Sequence, residues 1–124
     1  MDHKNLDAWK KSIDLVEMIY KLSALFPDEE RYGLTSQIRR AAVSVPSNLA
    51  EGAARNSKKE FLNFISISLG SLAEVETQVI IAQRLNFCEP GNMFDQINEV
   101  RALLIGLRNY LRKTTSMLKV KSEK

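Results

Sequence analysis

The chain is poor in the residues that punctuate, cross-link and catalyse. It has five glycines and three prolines in 124 residues. That is too few turn-formers for an all-β fold, and the long intervals between them favour long helices. A single cysteine, Cys88, excludes an intrachain disulfide and fits a reduced, cytoplasmic setting. The one histidine, His3, stands near the start, where loose structure is expected. Inward-facing Glu-x-x-His pairs, which a di-metal bundle site needs, do not occur. Nor does a Gly-rich phosphate loop. Gly52, Gly70 and Gly106 are isolated within helical patterns, where each is expected to mark close backbone approach. No apolar run nears the ~20 residues of a membrane span, and MDHKNLDAWKK is too charged for a secretion signal. No metal, no cofactor and no enzymatic activity are therefore expected.

The residues that are present suit one globular domain, with 44% hydrophobic and 27% charged. Four stretches follow the 3.6-residue period. The first, 6–26, carries Leu6, Trp9, Ile13, Val16 and Tyr20 on one face, widened on one side by Leu15, Ile19, Leu22 and Phe26, and stops at Pro27. The second, 33–55, has Leu34, Ile38, Ala42, Val45 and Leu49 as its stripe. Ser57 followed by Glu60 is a capping box that opens the third, 58–86, on Phe61, Ile65, Leu72, Val75 and Val79. NFCEPGN breaks it. The fourth, 93–118, runs on Met93, Ile97, Val100, Leu104, Leu107 and Leu111, before a polar tail, 119–124. Short connectors between long helices predict an all-α, antiparallel up-down-up-down four-helix bundle.

Pro46 falls inside the second stretch. Were it to start a new helix, Val45 would be the N-cap, and valine has no side-chain acceptor. The stripe also keeps its register across the proline. One helix kinked at Pro46 is predicted, with the Ala42 carbonyl deprived of its donor and Ser44 and Ser47 at hand for local hydrogen bonds.

Two surpluses remain. The first is apolar. Val43, Ala50 and Ala54 form a second small-residue strip on the kinked face of helix two, and Ile67 and Ile81 point away from the stripe of helix three. With Pro46 these are the candidate contacts of a homo-oligomer. The second is charge. In an up-down bundle the segments 1–11, 53–60 and 112–124 share one end and contribute +1, +2 and +4, a net +7. The other end, 27–32 and 84–96, contributes −2 and −1. Arg55, Lys58, Lys59, Arg112 and Lys113 lie at the basic end, and Arg101 and Arg108 continue a line along helix four. Such local charge suits phosphate-backbone binding, although a solvated face explains lysines equally well. Few aromatics interleave with these cations, which gives little support to base stacking. Glu76 falls within the apolar arc of helix three and needs a cation; Arg39, Arg40, Arg101 and Arg108 are the candidates.

The segments QIRRAAVSVPSNLAEG and KKEF…LGSLAEVET, with LDAWKKSIDLVEMIYKLSALFPDEERYG before them, resemble the four-helix bundle proteins encoded in 23S rRNA intervening sequences. The resemblance covers roughly residues 6–118. It implies a ring-like homo-oligomer, often a pentamer, without established enzymatic activity. Its relatives include the accessory protein of diversity-generating retroelements, which partners a reverse transcriptase and nucleic acid through basic surfaces. On this chain Arg39, Arg40, Arg55, Lys58 and Lys59 stand at the matching motif positions. Two functions follow as expectations: binding of structured RNA or another nucleic acid, or a protein adaptor, for example for a reverse transcriptase.

Overall fold

The computed structural model describes residues 1–122, with side chains to residue 114. Among them are four α-helices and no strand: α1 (Asp7–Ser23), α2 (Leu34–Ala53), α3 (Lys58–Arg84) and α4 (Met93–Ser122). Short 3-10 turns at His3–Asn5 and Asp28–Glu30 precede α1 and α2. The four periodic stretches are these four helices. The last residues before Pro27 tighten instead of continuing α1: Leu25 N–H reaches the Leu22 carbonyl and Phe26 N–H the Ser23 carbonyl, both at 3.1 Å. The range of α4 runs past the expected end at 118, and the side chains of the expected polar tail lie outside the described residues.

The helix ends have local causes. The Glu30 carboxylate accepts the Leu34 N–H at 2.9 Å and caps α2, whose Gly33 cap position has no side chain to do so. A Cβ on Gly33 would lie 2.7 Å from that carboxylate oxygen. At α3 the hydroxyl half of the predicted capping box forms, with Ser57 Oγ accepting the Glu60 N–H at 3.1 Å. The helix ends where Asn86 turns left-handed, at φ 60, and Phe87 N–H returns to the Ala82 carbonyl at 2.9 Å.

Each helix gives one stripe to a single core. Leu15 and Ile19, Ile38 and Leu49, Ile65 and Leu72, and Ile97 and Leu104 are its largest fully buried side chains. On α1 the core stripe is centred on the expected widening, Leu15, Ile19 and Leu22, and not on the expected central face. Ala8, Ser12, Leu15, Ile19 and Leu22 are buried, whereas Leu6, Trp9, Ile13 and Val16 are half-buried and Tyr20 is exposed. Small Ala8 and Ser12 let α1 settle close to its neighbours. Ser12 is buried without polar cost, because its hydroxyl donates to the Trp9 carbonyl at 2.8 Å. His3, in a short 3-10 turn, meets the Trp9 ring edge-on at 5.1 Å.

The most extensive helix contact is α2 on α3. α2 is continuous through Pro46, which is itself buried. Polar groups around the proline are tied across the interface. Ser68 of α3 donates to the Val45 carbonyl at 2.9 Å, Ser44 and Ser71 share a hydrogen bond at 2.9 Å, and Asn48 Nδ2 donates to the Ser44 carbonyl at 2.8 Å. Ser44 thus uses its hydroxyl across the interface and with Asn48, not in the expected local compensation of the Ala42 carbonyl, while Ser47 is exposed. Farther along, Gly52 lies against Phe61 and Phe64. Residue numbers fall along α2 as they rise along α3. The same inversion appears between α1 and α2, where Tyr20 and Ser23 meet Arg39 and Met1 N reaches the Ala53 carbonyl. It recurs between α3 and α4 through Glu76 with Arg101 and Lys59 with Arg112. Phe26 and Phe87, 6.0 Å apart, bring the 1–2 and 3–4 connectors to one end.

Of the three helical glycines, only Gly52 marks a close approach. An added Cβ would lie 2.6 Å from Phe64 Cβ, whereas Gly70 and Gly106 have nothing within 4 Å. Gly52→Ala is expected to destabilise the fold by about 1–3 kcal/mol through overpacking. Gly106→Ala is expected to stabilise it by about 0.5–1 kcal/mol through helix propensity. Urea titration of the two variants checks this contrast, and equal effects would remove the close-approach argument.

Candidate functional site

The structure divides the candidate cations into those engaged within the bundle and those left outside. Arg39 is half-buried. Its Nε donates to Ser23 Oγ at 2.8 Å, its Nη2 to the Tyr20 carbonyl at 3.3 Å, and its guanidinium sits 4.6 Å from the Tyr20 ring centroid. Arg101 is the cation that Glu76 needs: Nη2 reaches the carboxylate at 3.0 Å, with both side chains about a third exposed (29% and 32%). A second guanidinium nitrogen donates to Asn98 Oδ1. Arg55 pairs with Glu51 at 2.9 Å, one turn earlier, and lies 5.1 Å from the Phe64 ring. Arg108 is half-buried, with its Nε buried and without a partner among the described residues.

Lys59, Arg112 and Lys113 are exposed and Lys58 is half-buried. Lys59 and Arg112, distant in sequence, line one open depression of about 700 Å³ together with Ser57, Asn63 and one carboxylate, Glu60. It sits at the N-terminus of α3, where free backbone N–H groups add positive potential. Lys119, Lys121 and Lys124, which contribute to the expected +7, lie outside the residues whose side chains are described.

The candidate subunit contacts separate as well. Val43 (39% exposed), Ile67 (43%) and Ile81 (41%) are exposed, as is Ala54, and Ala50 is half-buried. Pro46 is not on this surface. Its ring is apolar and has no N–H to satisfy, so the bundle buries it at no polar cost. At 100° per residue, Ile67, Gly70, Ile81 and Leu85 fall on one outer stripe of α3. Among the described residues α3 alone is long and apolar enough to cross a membrane, and only 28% of its most apolar window is buried. The sequence reading, based on uninterrupted apolar runs, overlooked this helix-wide hydropathy.

A second depression escaped the sequence reading. On the outer side of α1 and α2, Tyr20, Tyr32, Arg31, Arg39 and Arg40 line an open groove of about 850 Å³. The signal that could have exposed it was the breadth of the apolar arc of α1. Centring the stripe on Leu15 and Ile19 puts Tyr20 outside.

No group of three or more metal-ligating side chains comes together among the described residues. Cys88 is half-buried, and burial first, then the Glu89 carboxylate, pushes its thiol above the usual range.

Residues 4–106 match the 23S rRNA-intervening sequence proteins. The chain belongs to that family. No curated protein matches it. Among solved structures it is similar to a protein of unknown function from the S23 ribosomal protein family of Bacteroides thetaiotaomicron. The TM-score is 0.75 at 21% identity, over 88% of this chain and 99% of that one. At that identity the likeness supports the bundle fold. The description of the 23S rRNA-intervening sequence family names no enzymatic activity.

Because its pKa is raised, Cys88 holds less thiolate at neutral pH than a free thiol does. Its alkylation by iodoacetamide at pH 7.5 should be slower than that of free cysteine, and the gap should narrow as the pH is raised. A rate equal to that of the free thiol would contradict its placement.

Proposed function

We propose that this member of the 23S rRNA-intervening sequence family is a non-enzymatic homo-oligomer that binds structured RNA through phosphate contacts at its basic end. The observation that carries the reading is the convergence of Lys59 and Arg112 on one depression at the N-terminus of α3, with Lys58 and Lys113 beside them in sequence. Lys59 and Arg112 form no ion pair among the described residues, although Glu60 lines the same depression, and such cations on an open surface next to a helix N-terminus suit a polyanion and need no preformed pocket. Arg101 and Arg55 are poorer candidates, since each already holds a carboxylate. Arg39 serves the α1–α2 contact before any ligand.

The oligomer reading rests on α3. A helix with this much apolar surface outside its own core is stabilised when a second copy covers it. Ile67, Gly70, Ile81 and Leu85 form the stripe we assign to that contact, and the glycine leaves room for close approach. A protein adaptor, for example for a reverse transcriptase, would use the same surface; oligomerisation is favoured because it needs only this chain. A ring of five, as the resemblance implies, would set the basic ends side by side.

Two experiments test these readings. Lys58→Glu with Lys59→Glu should weaken binding to a structured RNA by roughly tenfold at low salt and flatten the salt dependence of the affinity. Absence of binding by the unmodified protein at low salt would end the nucleic-acid reading. Ile67→Asp with Ile81→Asp should lower the mass seen by light scattering while leaving helicity unchanged. A wild-type monomer at micromolar concentration would end the oligomer reading.

A further inference from the structure

The groove outside α1 and α2 combines chemistry that the basic end lacks. It holds two exposed tyrosines, Tyr20 at 42% and Tyr32 at 90%, and three arginines. Tyr32 is the most exposed of the large hydrophobic side chains among the described residues. Nothing in the bundle explains its exposure. Tyr20 is held differently. The Arg39 guanidinium covers its ring at 4.6 Å and also bonds to its carbonyl and to Ser23, so the ring and the cation form one fixed platform. Arg31 and Arg40 stand exposed on the same groove, with no side-chain ion pair or hydrogen bond among the described residues.

The charge of the groove is positive. Its one carboxylate, Glu51, is already paired with Arg55 at 2.9 Å. The partners of Arg39 are neutral oxygens, so its charge is not cancelled. Beyond the groove the sign changes. Asp28 lines the neighbouring depression that shares Arg31 and Arg39, and Glu74 lines the one that shares Arg40. These carboxylates bound the positive stretch at both sides and limit a polyanion to a short footprint.

We infer that this groove binds an unpaired nucleic-acid strand over about two to three nucleotides, with bases stacked on Tyr32 and on the Tyr20–Arg39 platform and phosphates on Arg31 and Arg40. Duplex is excluded from this role, because its bases offer no free face to stack. Ser36 and Ser47 on the groove wall supply neutral donors for sugar or phosphate oxygens. The inference rests on the nucleic-acid reading above and gives the protein two distinct surfaces: phosphates of structured RNA at the basic end, exposed bases here.

The test compares Tyr32→Ala, Arg40→Ala and the Lys58→Glu/Lys59→Glu protein by fluorescence anisotropy. The probes are an unstructured oligo-uridine, the matching oligo-deoxythymidine and an RNA hairpin with a minimal loop. Tyr32→Ala is expected to weaken oligonucleotide binding by at least about fivefold, and Arg40→Ala to weaken it with a loss of salt dependence, while the hairpin is unaffected. The affinity ratio of the two oligonucleotides tells whether RNA or DNA is the strand. Because Tyr32 is almost wholly exposed, its truncation leaves the fold intact, and circular dichroism verifies this. Oligonucleotide binding unchanged by Tyr32→Ala would overturn the inference, yet leave hairpin binding, and with it the earlier reading, standing. A Tyr32→Ala protein that changes its assembled mass but not its binding would also overturn it, by making the groove a subunit contact. Failure to bind any probe would overturn both readings.

Discussion

The close seating of α2 on α3 is the constraint from which the rest of the bundle follows. Gly52 lets the backbone of α2 approach Phe61 and Phe64, where even one methyl group would overlap. Around Pro46 the two helices are joined through Ser68 with Val45 and Ser44 with Ser71, and the Val45 and Ser44 carbonyls just before the proline gain side-chain donors from Ser68 and Asn48. A proline inside a helix costs about 3 kcal/mol when nothing compensates. Here its ring is buried and its neighbours are hydrogen-bonded to the adjacent helix. The proline is therefore placed where α3 can support it. With α2 and α3 fixed in this way, α1 and α4 complete the core by packing stripes of ordinary aliphatic residues.

Most of the fold was legible because it depends on periodicity. The stripes of α2, α3 and α4 are those that spacing assigns, and the register of α2 carries through Pro46. The stripe of α1 was misplaced because its apolar residues span a wide arc. Counting large residues favours Trp9 and Tyr20, whereas the bundle buries small Ala8 and Ser12 to gain proximity. Glycines were ambiguous for a related reason. Gly52, Gly70 and Gly106 have the same local context, and only the position of a neighbouring helix separates the packed one from the open two. Cap chemistry was legible where it is local, as in Ser57 with Glu60, and was missed where Glu30 reaches from a preceding turn.

The candidate site was less legible, because the chemical role of a cation depends on what stands across from it. Spacing identified Glu76 as a carboxylate in need of a partner, and Arg101 is that partner. Spacing could not reveal that Arg39 would be engaged with Tyr20 and Ser23, or that Lys59 and Arg112 would share a depression. Arginines that looked alike in the sequence thus divide into internal ties and outward-facing charges. The division narrows the functional reading of this family member. Lys59 and Arg112 form no ion pair among the described residues, although Glu60 lines their depression, while the α1–α2 groove pairs cations with exposed rings.

The central claim is that α3, having given one face to the core, gives its outer stripe to another copy of the chain. Hydroxyl-radical footprinting of the native protein tests this most directly, because it reads side-chain exposure in solution. Leu85 and Leu25 are both exposed in the isolated chain, at 54% and 68%, and differ in that only Leu85 lies on the α3 stripe. The account predicts that Leu85, Ile67 and Ile81 are protected, whereas Leu25 is oxidised freely. Oxidation of Leu85 at a rate comparable with that of Leu25 would contradict it.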